Sequence, residues 1–363
     1  MSKKPYVKVL FFGCASLLFA AYLFREFIVS RELSDKLRIL RLIKFEMNPV
    51  TRREEKKVDK KEEKKDEKKE EIKNGNNTES QLIQMSKIWR VQQDNLPLCP
   101  EKPPNLKGKI DVDMRSIKIE EIEAEYKDLM PGGHWRPKEC KSRQKVAIVV
   151  PYRNREPHLR TFLHNMHRFL QKQQLDYAIF VVEQVGDLIF NKGRLTNIGV
   201  LEAIRVYPFD CIVFNDVDTY PENDNLLYTC SSNPRHFSVY LEKTGYKEFY
   251  PGFVGGVLAL TVEQLRKING YSNDFWGWGG EDDDINKRVE IAKMSFSRIK
   301  SDISRFKSFK HGSDKGNEAH PCRFTLLKYT KDKYLTDGFS NLNYRVESIN
   351  YGKLYTHIMV GIE

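Results

Sequence analysis

Two acidic motifs in the second half of the sequence carry side chains that could do chemistry. The first is Asp216-Val217-Asp218, which follows an apolar run. Side chains at i and i+2 of an extended segment point the same way, so its two carboxylates face one side. Such a pair suits a hard divalent cation, Mn²⁺ or Mg²⁺, whose other ligands would be the oxygens of a diphosphate. Short Asp-x-Asp strings are also common in surface turns, so this motif alone identifies no site.

The second motif, FWGWGGEDDD at residues 275–284, brings together two tryptophans, three glycines and four acids. Four adjacent carboxylates would repel one another on an ordinary surface, whereas the glycines let the backbone approach a ligand closely. A tryptophan ring can stack on the apolar face of a pyranose, while carboxylates accept hydrogen bonds from hydroxyl groups and can take up a proton. The motif predicts a sugar site. An acidic helix N-terminus, which favours the helix dipole, would also explain these acids.

Two weaker segments flank these motifs. Residues 252–259 (GFVGGVLA) join a glycine pair to an apolar strand, a pattern as typical of a β-bulge as of a binding site. Residues 306–324 (FKSFKHGSDKGNEAHPCRF) are polar and interrupted by glycines, as a mobile lid would be. His311 in this lid is a candidate metal ligand, although an isolated loop histidine more often has no such role. Together the four segments indicate nucleotide-sugar chemistry.

Alternating strands and helices must position these side chains. Apolar runs without polar alternation, as expected of parallel strands buried on both faces, occupy residues 146–152, 177–184 and 211–218. Segments with apolar residues at helical spacing lie between them, at 153–174 and 195–207. This order predicts an open α/β sheet, in which ligands bind beyond the carboxyl ends of the strands. The carboxylates of the first motif lie at such an end.

Charge and motif content exclude several function classes. The formal net charge is +11, but residues 1–73 contribute +7 of it, so the aromatic-rich remainder carries only +4. A general polyanion-binding surface is therefore not indicated, and we expect no nucleic-acid partner. No Gly-x-Gly-x-x-Gly opens the first helix and no Walker sequence occurs. A dinucleotide oxidoreductase and a P-loop ATPase are accordingly disfavoured.

The N-terminus has the pattern of a membrane anchor. Residues 9–24 are uncharged and follow three lysines. Sixteen residues fall short of the roughly 20 that an average bilayer needs, but thinner early secretory membranes and the apolar residues 27–29 narrow the gap. We predict a cytoplasmic tail over 1–8 and a transmembrane signal-anchor over 9–29. A cleaved signal peptide is the alternative.

A stem is predicted between the anchor and the catalytic domain, which we place at 96–363. The stem covers 30–95 and includes 51–73, where nearly every residue is charged and no hydrophobic face can form. Asn76 begins an N-glycosylation sequon, which is informative only if the segment is lumenal. Six cysteines without a Cys-x-x-Cys pair argue against structural zinc and favour disulfides in a lumenal domain, with buried free thiols as the alternative.

Several segments, taken in order and spacing, resemble the β-1,4-galactosyltransferase family, glycosyltransferase family 7. They are VPYRNREPHL, FNKGRLTNIG, FNDVD, GGV, WGWGGEDDD and HGSDKGNE, and the resemblance runs from about Cys99 to Ile362. It implies a glycosyltransferase-A catalytic domain, a Rossmann-like α/β fold with a mixed sheet, behind a single N-terminal membrane span. It also implies a type II Golgi membrane protein with a lumenal catalytic domain, Mn²⁺ as cofactor, a UDP-sugar donor and a GlcNAc-terminated glycan acceptor.

The resemblance assigns site residues by position. The donor residues would be Pro151, Arg153, Arg155, Phe190, Lys192, Asp216, Lys243, Phe253 and Trp278. The acceptor residues would be Gly280, Glu281, Asp282, Arg323, Phe324 and Leu327. Asp282 would be the general base, with Glu281 beside it, and Asp218 and His311 would ligate the metal together with Ser308. The implied disulfides are Cys99–Cys140 and Cys211–Cys230, with Cys322 left unassigned.

Three positions depart from vertebrate members of that family. Lys192 replaces an arginine, which keeps the charge but loses the bidentate fork. Ser308 replaces a methionine metal ligand; because a hydroxyl is a harder donor than a thioether, we predict that Mg²⁺ is better tolerated. Phe253 lies where galactosyl enzymes have tyrosine and several invertebrate N-acetylgalactosaminyl enzymes have isoleucine or leucine. UDP-Gal, UDP-GalNAc and another UDP-N-acetylhexosamine all stay open as donors, and we favour a relaxed or GalNAc-using enzyme.

The sequence thus predicts an inverting, metal-dependent β-1,4-glycosyltransferase that moves Gal or GalNAc to the 4-hydroxyl of terminal GlcNAc on glycoproteins or glycolipids. A catalytically silent Golgi lectin or scaffold of the same fold is the alternative from another class, and Ser308 is its only support. A xylose-directed linker transferase is disfavoured, because that branch has Arg before the acids where this chain has Gly280.

Overall fold

The computed structural model describes residues 80–90, 95–299, 302–309 and 316–362. The predicted anchor, charged stalk and sequon at Asn76 lie outside these residues, and so does His311. None of the helices in the described ranges combines the length and the apolar character that crossing a bilayer requires.

The described residues form eleven strands and seven α-helices, in addition to a helical segment at residues 80–89. The strands are β1 (Lys145–Tyr152), β2 (Asp176–Gln184), β3 (Cys211–Asn215), β4 (Thr219–Pro221), β5 (Arg235–His236), β6 (Tyr240–Leu241), β7 (Val257–Thr261), β8 (Ser297–Arg298), β9 (Arg305–Ser308), β10 (Arg345–Tyr351) and β11 (Thr356–Gly361). The helices are α1 (Ile119–Glu125), α2 (Glu156–Lys172), α3 (Lys192–Val206), α4 (Val262–Lys267), α5 (Glu281–Ile291), α6 (Arg323–Leu326) and α7 (Thr330–Lys333).

A mixed eight-stranded sheet forms the centre of the molecule, in the order β10-β11-β2-β1-β3-β7-β5-β8. Strands β2 and β3 pair parallel to β1 on its two sides, whereas β7 is antiparallel to β3. The predicted α/β class and its first three strands are confirmed. The next two strands in the sequence, β2 and β3, lie on opposite sides of β1, so the strand order reverses at β1. A crevice opens at the carboxyl ends of strands at such a reversal.

The two faces of β1 explain why its sequence lacks polar alternation. Val146, Ile148 and Val150 belong to one hydrophobic core, which includes the buried face of α2. Ala147 and Val149 point to the other core, which includes the buried face of α3. Every side chain of the strand interior therefore meets apolar neighbours, as expected of a parallel strand covered by helices on both sides.

The packed body begins earlier than predicted. Leu82, Met85 and Trp89 of the helical segment 80–89 belong to a hydrophobic core. The Trp89 indole is fully buried, donates a hydrogen bond from Nε1 to the carbonyl of Pro131 (3.0 Å) and packs against the His134 ring. The core thus extends N-terminal to the boundary that we placed between residues 95 and 96. The charged composition upstream concealed this short amphipathic segment.

The predicted lid is wrong at its two ends. Residues 305–308 form β9, which pairs with β4 and β6 in a separate three-stranded sheet, and Phe306 is fully buried. Residues 323–326 form α6. The alternation of buried Phe306 and Ser308 with half-buried Lys307 is a short strand pattern that the surrounding polar residues obscured. The intervening residues 310–315 lie outside the described chain.

Both disulfides that the family resemblance implied are present. Cys99 is bonded to Cys140 and Cys211 to Cys230. Free thiols are therefore the wrong interpretation for these four cysteines. The first bond joins the segment around Cys99 to the segment before β1, and the second joins the first residue of β3 to the loop before β5.

Replacing Trp89 tests whether segment 80–89 is part of the cooperative core. In a soluble chain beginning at Gln81, we expect Trp89→Ala to lower the free energy of unfolding by about 3 to 5 kcal/mol, because a buried aromatic side chain is lost. Ile83→Ala is the matched control on the same helix, since Ile83 is half exposed, and should change it by less than about 1 kcal/mol. Denaturant unfolding measures both. A loss below about 1 kcal/mol for Trp89→Ala would contradict the packing.

Candidate active site

A cleft of about 1180 Å³ opens at the carboxyl ends of β1 and β3. Its volume is at the upper end of what small-molecule sites offer, enough for a nucleotide sugar. Fifteen predicted site residues line it: Pro151, Arg153, Arg155, Phe190, Lys192, Asp216, Asp218, Lys243, Phe253, Trp278, Gly280, Glu281, Asp282, Arg323 and Phe324. Segments that are more than 100 residues apart in sequence therefore meet around one space.

The ammonium group of Lys192 lies among three carboxylates. Its Nζ is 3.3 Å from Asp216 Oδ1, 3.5 Å from Glu281 Oε1 and 3.1 Å from Asp282 Oδ1. Lys192 is the first residue of α3, and Glu281 and Asp282 open α5. Burial alone would lower the pKa of Lys192, but the three carboxylates outweigh it and hold the pKa well above its usual value. The lysine is therefore charged and forms ion pairs with all three acids, and it lines the cleft as a predicted donor residue.

Two acids of this cluster have raised pKa values. Burial, reinforced by repulsion from Asp282, raises the pKa of Glu281 to about 7, although Lys192 opposes the shift. Burial likewise raises the pKa of Asp216 against the attraction of Lys192. Glu281 Oε2 is buried and has no hydrogen-bond partner in the part of the chain that the structure describes. An unsatisfied carboxyl oxygen facing a cleft is suited to a hydroxyl group of a ligand.

The four adjacent acids do not all face the cleft. Glu281, Asp282 and Asp283 line it, whereas the Asp284 side chain is buried and does not line it. Asp284 forms an ion pair with Arg288 and accepts a hydrogen bond from Thr330 Oγ1 (2.7 Å). The helix N-terminus and the sugar site, which the sequence left as two explanations for these acids, are thus both consistent with the structure.

Backbone conformation before α5 requires glycine. Gly280 has φ of 102°, and a Cβ there would collide with the Phe275 ring. Gly277 has φ of 81°, and a Cβ there would collide with the carbonyl oxygen of Glu318. These left-handed conformations disfavour any other residue. They bring the start of α5 into the cleft and leave the Trp278 ring 57% exposed at its rim.

Arginines and an aromatic ring form the opposite wall. Arg153 donates hydrogen bonds to the carbonyls of Leu188 (2.7 Å) and Gly316 (2.9 Å), and its guanidinium lies over the Phe190 ring. Arg155 forms an ion pair with Asp218 at 3.3 Å. The positive charge of this wall faces the acids of the cleft, as binding of a diphosphate beside a metal ion would require.

Ser308 lies in the strand next to the first acidic motif, although it does not itself line the cleft. Thr219, the residue after Asp218, pairs with Ser308 across β4 and β9, and the Phe309 amide donates to the Asp218 carbonyl (3.2 Å). Ser308 Oγ is buried and has no hydrogen-bond partner among the described residues. Within those residues, no group of three or more His, Cys, Asp or Glu side chains could hold a metal. A carboxylate and an unsatisfied hydroxyl nevertheless fit Mn²⁺ or Mg²⁺.

Of the acceptor residues predicted after α5, two line the cleft and one does not. The Arg323 guanidinium lies over the Phe324 ring, which is 64% exposed at the cleft. Leu327 is buried and does not line the cleft. Its carbonyl accepts hydrogen bonds from Lys287 Nζ (2.8 Å) and Thr330 Oγ1 (3.1 Å). An exposed aromatic face is suited to the apolar side of a sugar ring.

Sequence reasoning identified Phe253 but missed two aromatic residues beside it that also line the cleft, Phe249 and Tyr250. Phe249, Tyr250 and Phe253 pack against one another with ring centroids 5.2–5.3 Å apart. Tyr250 also donates a hydrogen bond to Asp283 Oδ1 (2.8 Å), and burial together with that bond raises its pKa. The run of aromatics in residues 249–253 was a signal that could have identified them.

The sequence matches two protein-family models and is similar to known enzymes. The family model described as the N-terminal region of glycosyl transferase group 7 matches residues 99–231, and that described as the N-terminal domain of galactosyltransferase matches 235–312. β-1,4-Galactosyltransferase 4 of Mus musculus is 45% identical over 271 residues, which cover 74% of this chain and 78% of that protein. β-1,4-Galactosyltransferase 3 of Homo sapiens is 45% identical over 269 residues, which cover 74% and 68%.

Solved structures agree with this result. The catalytic domain of Drosophila β-1,4-galactosyltransferase 7 in complex with xylobiose matches with a TM-score of 0.53 and 30% identity, over 61% of this chain and 94% of that one. A mutant of the same enzyme in complex with manganese, UDP-Gal and xylobiose gives a TM-score of 0.52 over the same shares, also at 30% identity. The identity and coverage of these relatives, with the two family models, show that the chain belongs to the β-1,4-galactosyltransferase family.

Proposed function

We propose that the chain is an inverting, metal-dependent β-1,4-glycosyltransferase that transfers Gal or GalNAc from a UDP-sugar to the 4-hydroxyl of terminal GlcNAc on glycoproteins or glycolipids. The observation that carries this proposal is the cluster of Lys192, Asp216, Glu281 and Asp282 in a cleft that also contains Asp218. The acids that could bind a hydroxyl group of the acceptor and the Asp218 carboxylate that could bind a metal–diphosphate complex line the same cleft. The names of the relatives support galactose as the sugar.

Asp282 is the general base of this proposal. An inverting transfer needs one group to take the acceptor proton while the diphosphate departs on the opposite face. The Asp282 carboxylate accepts a hydrogen bond at Oδ1 from Lys192 Nζ (3.1 Å), which keeps the group oriented. Glu281, whose pKa is near 7, can exchange a hydrogen bond with a second hydroxyl of the acceptor.

The binding site for the UDP-sugar donor would be formed by the two arginines and by the residues around Asp218. Asp218 and Ser308, with His311, would hold the metal, which supplies neutralisation of the charge on the leaving diphosphate when bound. Arg153 and Arg155 add positive charge along the same wall. The exposed Trp278 ring, which follows Gly277 and precedes Gly279, is placed to cover the donor and exclude water that would otherwise hydrolyse it.

A catalytically silent lectin is the weaker proposal. It would rest on Ser308 alone, because a hydroxyl replaces a stronger ligand there. Three acids arranged around one buried lysine are costly to keep for sugar binding only, since each buried carboxylate is desolvated. A lumenal, membrane-anchored Golgi location and glycosylation at Asn76 remain predictions from the sequence, and the disulfides support an oxidising compartment.

Replacing Asp282 tests the general base. We expect Asp282→Asn to lower kcat by about 10²- to 10⁴-fold and to leave UDP affinity within about threefold, because the amide cannot take a proton. Asp283→Asn is the matched control on the next residue, and its kcat should fall less than tenfold. Initial rates and calorimetric titration with UDP and Mn²⁺ measure the two quantities. Near-normal turnover of Asp282→Asn would remove this base from the mechanism.

A comparison of donors tests the function itself. Initial rates with UDP-Gal and UDP-GalNAc, one GlcNAc acceptor and Mn²⁺ should show transfer from both, with kcat/KM values within about 100-fold. Phe253 keeps an aromatic ring in the pocket but has no hydroxyl, so the pocket should discriminate by size alone, which limits selectivity. Transfer from neither donor, with UDP still bound, would favour another UDP-N-acetylhexosamine or the lectin.

The metal preference tests the role of Ser308. Because a hydroxyl would replace a thioether as ligand, we expect Mg²⁺ to support turnover within about tenfold of Mn²⁺, and Ser308→Met to shift the ratio toward Mn²⁺ by a further tenfold or more. Direct titration of Mn²⁺ into the UDP complex gives a second readout. Ser308→Ala is the control that removes the hydroxyl without adding a thioether. An identical Mn²⁺-to-Mg²⁺ ratio in all three proteins would exclude Ser308 as a ligand.

A further inference from the structure

The turn that carries Phe253 is supported from behind by two edge strands. β5 and β8 pair in parallel at the end of the large sheet, and His236 and Arg298 are opposite each other in that pairing. Neither residue lines the cleft. Their side chains both extend to the backbone of residues 253–255, so adjacent strand positions support adjacent parts of one turn.

Four hydrogen bonds hold three carbonyl groups of this turn. Arg298 Nη2 donates to the Phe253 carbonyl (3.0 Å), and His236 Nε2 donates to the Gly255 carbonyl (3.1 Å). The Gly255 carbonyl also accepts from Ser238 Oγ (2.8 Å). The next carbonyl, of Gly256, accepts from the Asp216 amide (3.1 Å), so the turn is tied to the acids after β3.

The position of this turn sets the width of the cleft. A Cβ added to Gly255 would collide with both Asp282 Oδ2 and the Phe253 ring, so ring, turn backbone and carboxylate are already in close approach. The Phe253 ring lines the cleft next to the group proposed as general base. Because these groups are already closely packed, a movement of about 1 Å in the turn would change the volume available to a ligand beside Asp282.

The two supporting side chains are placed at some energetic cost. His236 is 3% exposed, its Nδ1 has no hydrogen-bond partner in the described chain, and burial lowers its pKa to about 4. A carbonyl oxygen can only accept, so the neutral ring carries its hydrogen on Nε2. Arg298 Nε is likewise buried and without a partner in the described ranges. Buried unsatisfied groups of this kind are unfavourable and call for an explanation.

We propose that Arg298 and His236 are positioning residues that hold Phe253 in place and thereby set how strictly the donor pocket distinguishes a UDP-hexose from a UDP-N-acetylhexosamine. This inference rests on the proposed function. Neither residue touches the sugar; they act through the backbone of residues 253–255. When either hydrogen bond is lost, the turn moves away from Asp282 and admits the larger N-acetyl group.

Paired substitutions of the full chain test this inference. The readout is the ratio of kcat/KM for UDP-GalNAc to kcat/KM for UDP-Gal, with one GlcNAc acceptor and Mn²⁺. We expect Arg298→Met and His236→Met to raise this ratio about tenfold. His236→Gln should stay near the wild-type ratio, because a glutamine amide can still donate to the Gly255 carbonyl. Arg298→Lys should be intermediate, since it keeps one donor but loses the planar fork.

Arg235 provides the matched control. It precedes His236 on β5, lies outside the cleft and donates hydrogen bonds from Nη1 to the carbonyls of Leu227 (3.0 Å) and Thr229 (2.8 Å). It therefore supports the loop at residues 227–229 by the same kind of hydrogen bond, from a side chain to backbone carbonyl groups. Arg235→Met should lower stability without changing the donor ratio. An unchanged ratio in both methionine variants of the proposed pair, or an equal change in Arg235→Met, would overturn the inference.

Hydrogen exchange separates failure of this inference from failure of the proposed function. If the wild-type chain transfers neither sugar, the proposed function is wrong, yet amide exchange over residues 250–257 still tests the support of the turn. Arg298→Met and His236→Met should speed exchange there at least tenfold, and Arg235→Met should not. Equal exchange in all variants and the wild type would show that the turn does not depend on the pair.

Discussion

The attraction between one buried ammonium group and three carboxylates is the constraint on which the cleft depends. Lys192 begins α3, Asp216 follows β3, and Glu281 and Asp282 begin α5, so one cation joins three separate segments. Without it, the mutual repulsion of three acids at this distance would be uncompensated. With it, the segments converge on a geometry in which one carboxylate oxygen is anchored and others remain available to a ligand.

The surrounding structure serves to keep that cluster in place. The core on each face of the sheet fixes where the strands end, and left-handed glycines bring the start of α5 to the same point. The buried Asp284 also contributes, because its ion pair with Arg288 and the further pairing of Arg288 with Asp337 fix the helix in the core. One acidic run thus supplies both the site and the helix anchor behind it.

Three residues in or beside the cleft set its chemistry. Lys192 lies among the acids, the buried Ser308 is paired with Thr219, the residue after Asp218, and a phenylalanine, Phe253, lines the cleft. The phenylalanine is held by hydrogen bonds to its backbone, so its position is decided by residues on β5 and β8 that belong to no motif. Specificity in such a site is a property of the wall and of its support together.

Local pattern alone determined the three parallel strands, the helices between them and the motifs at their carboxyl ends. Apolar runs without alternation and helical spacing report burial directly, and the family resemblance identified most of the residues that line the cleft. The tertiary structure alone decided that Lys192 is surrounded by acids, that Asp284 faces the core, that Trp89 belongs to the body and that β9 is a strand. These depend on contacts between distant segments, and sequence periodicity carries no information about which distant side chains share a space.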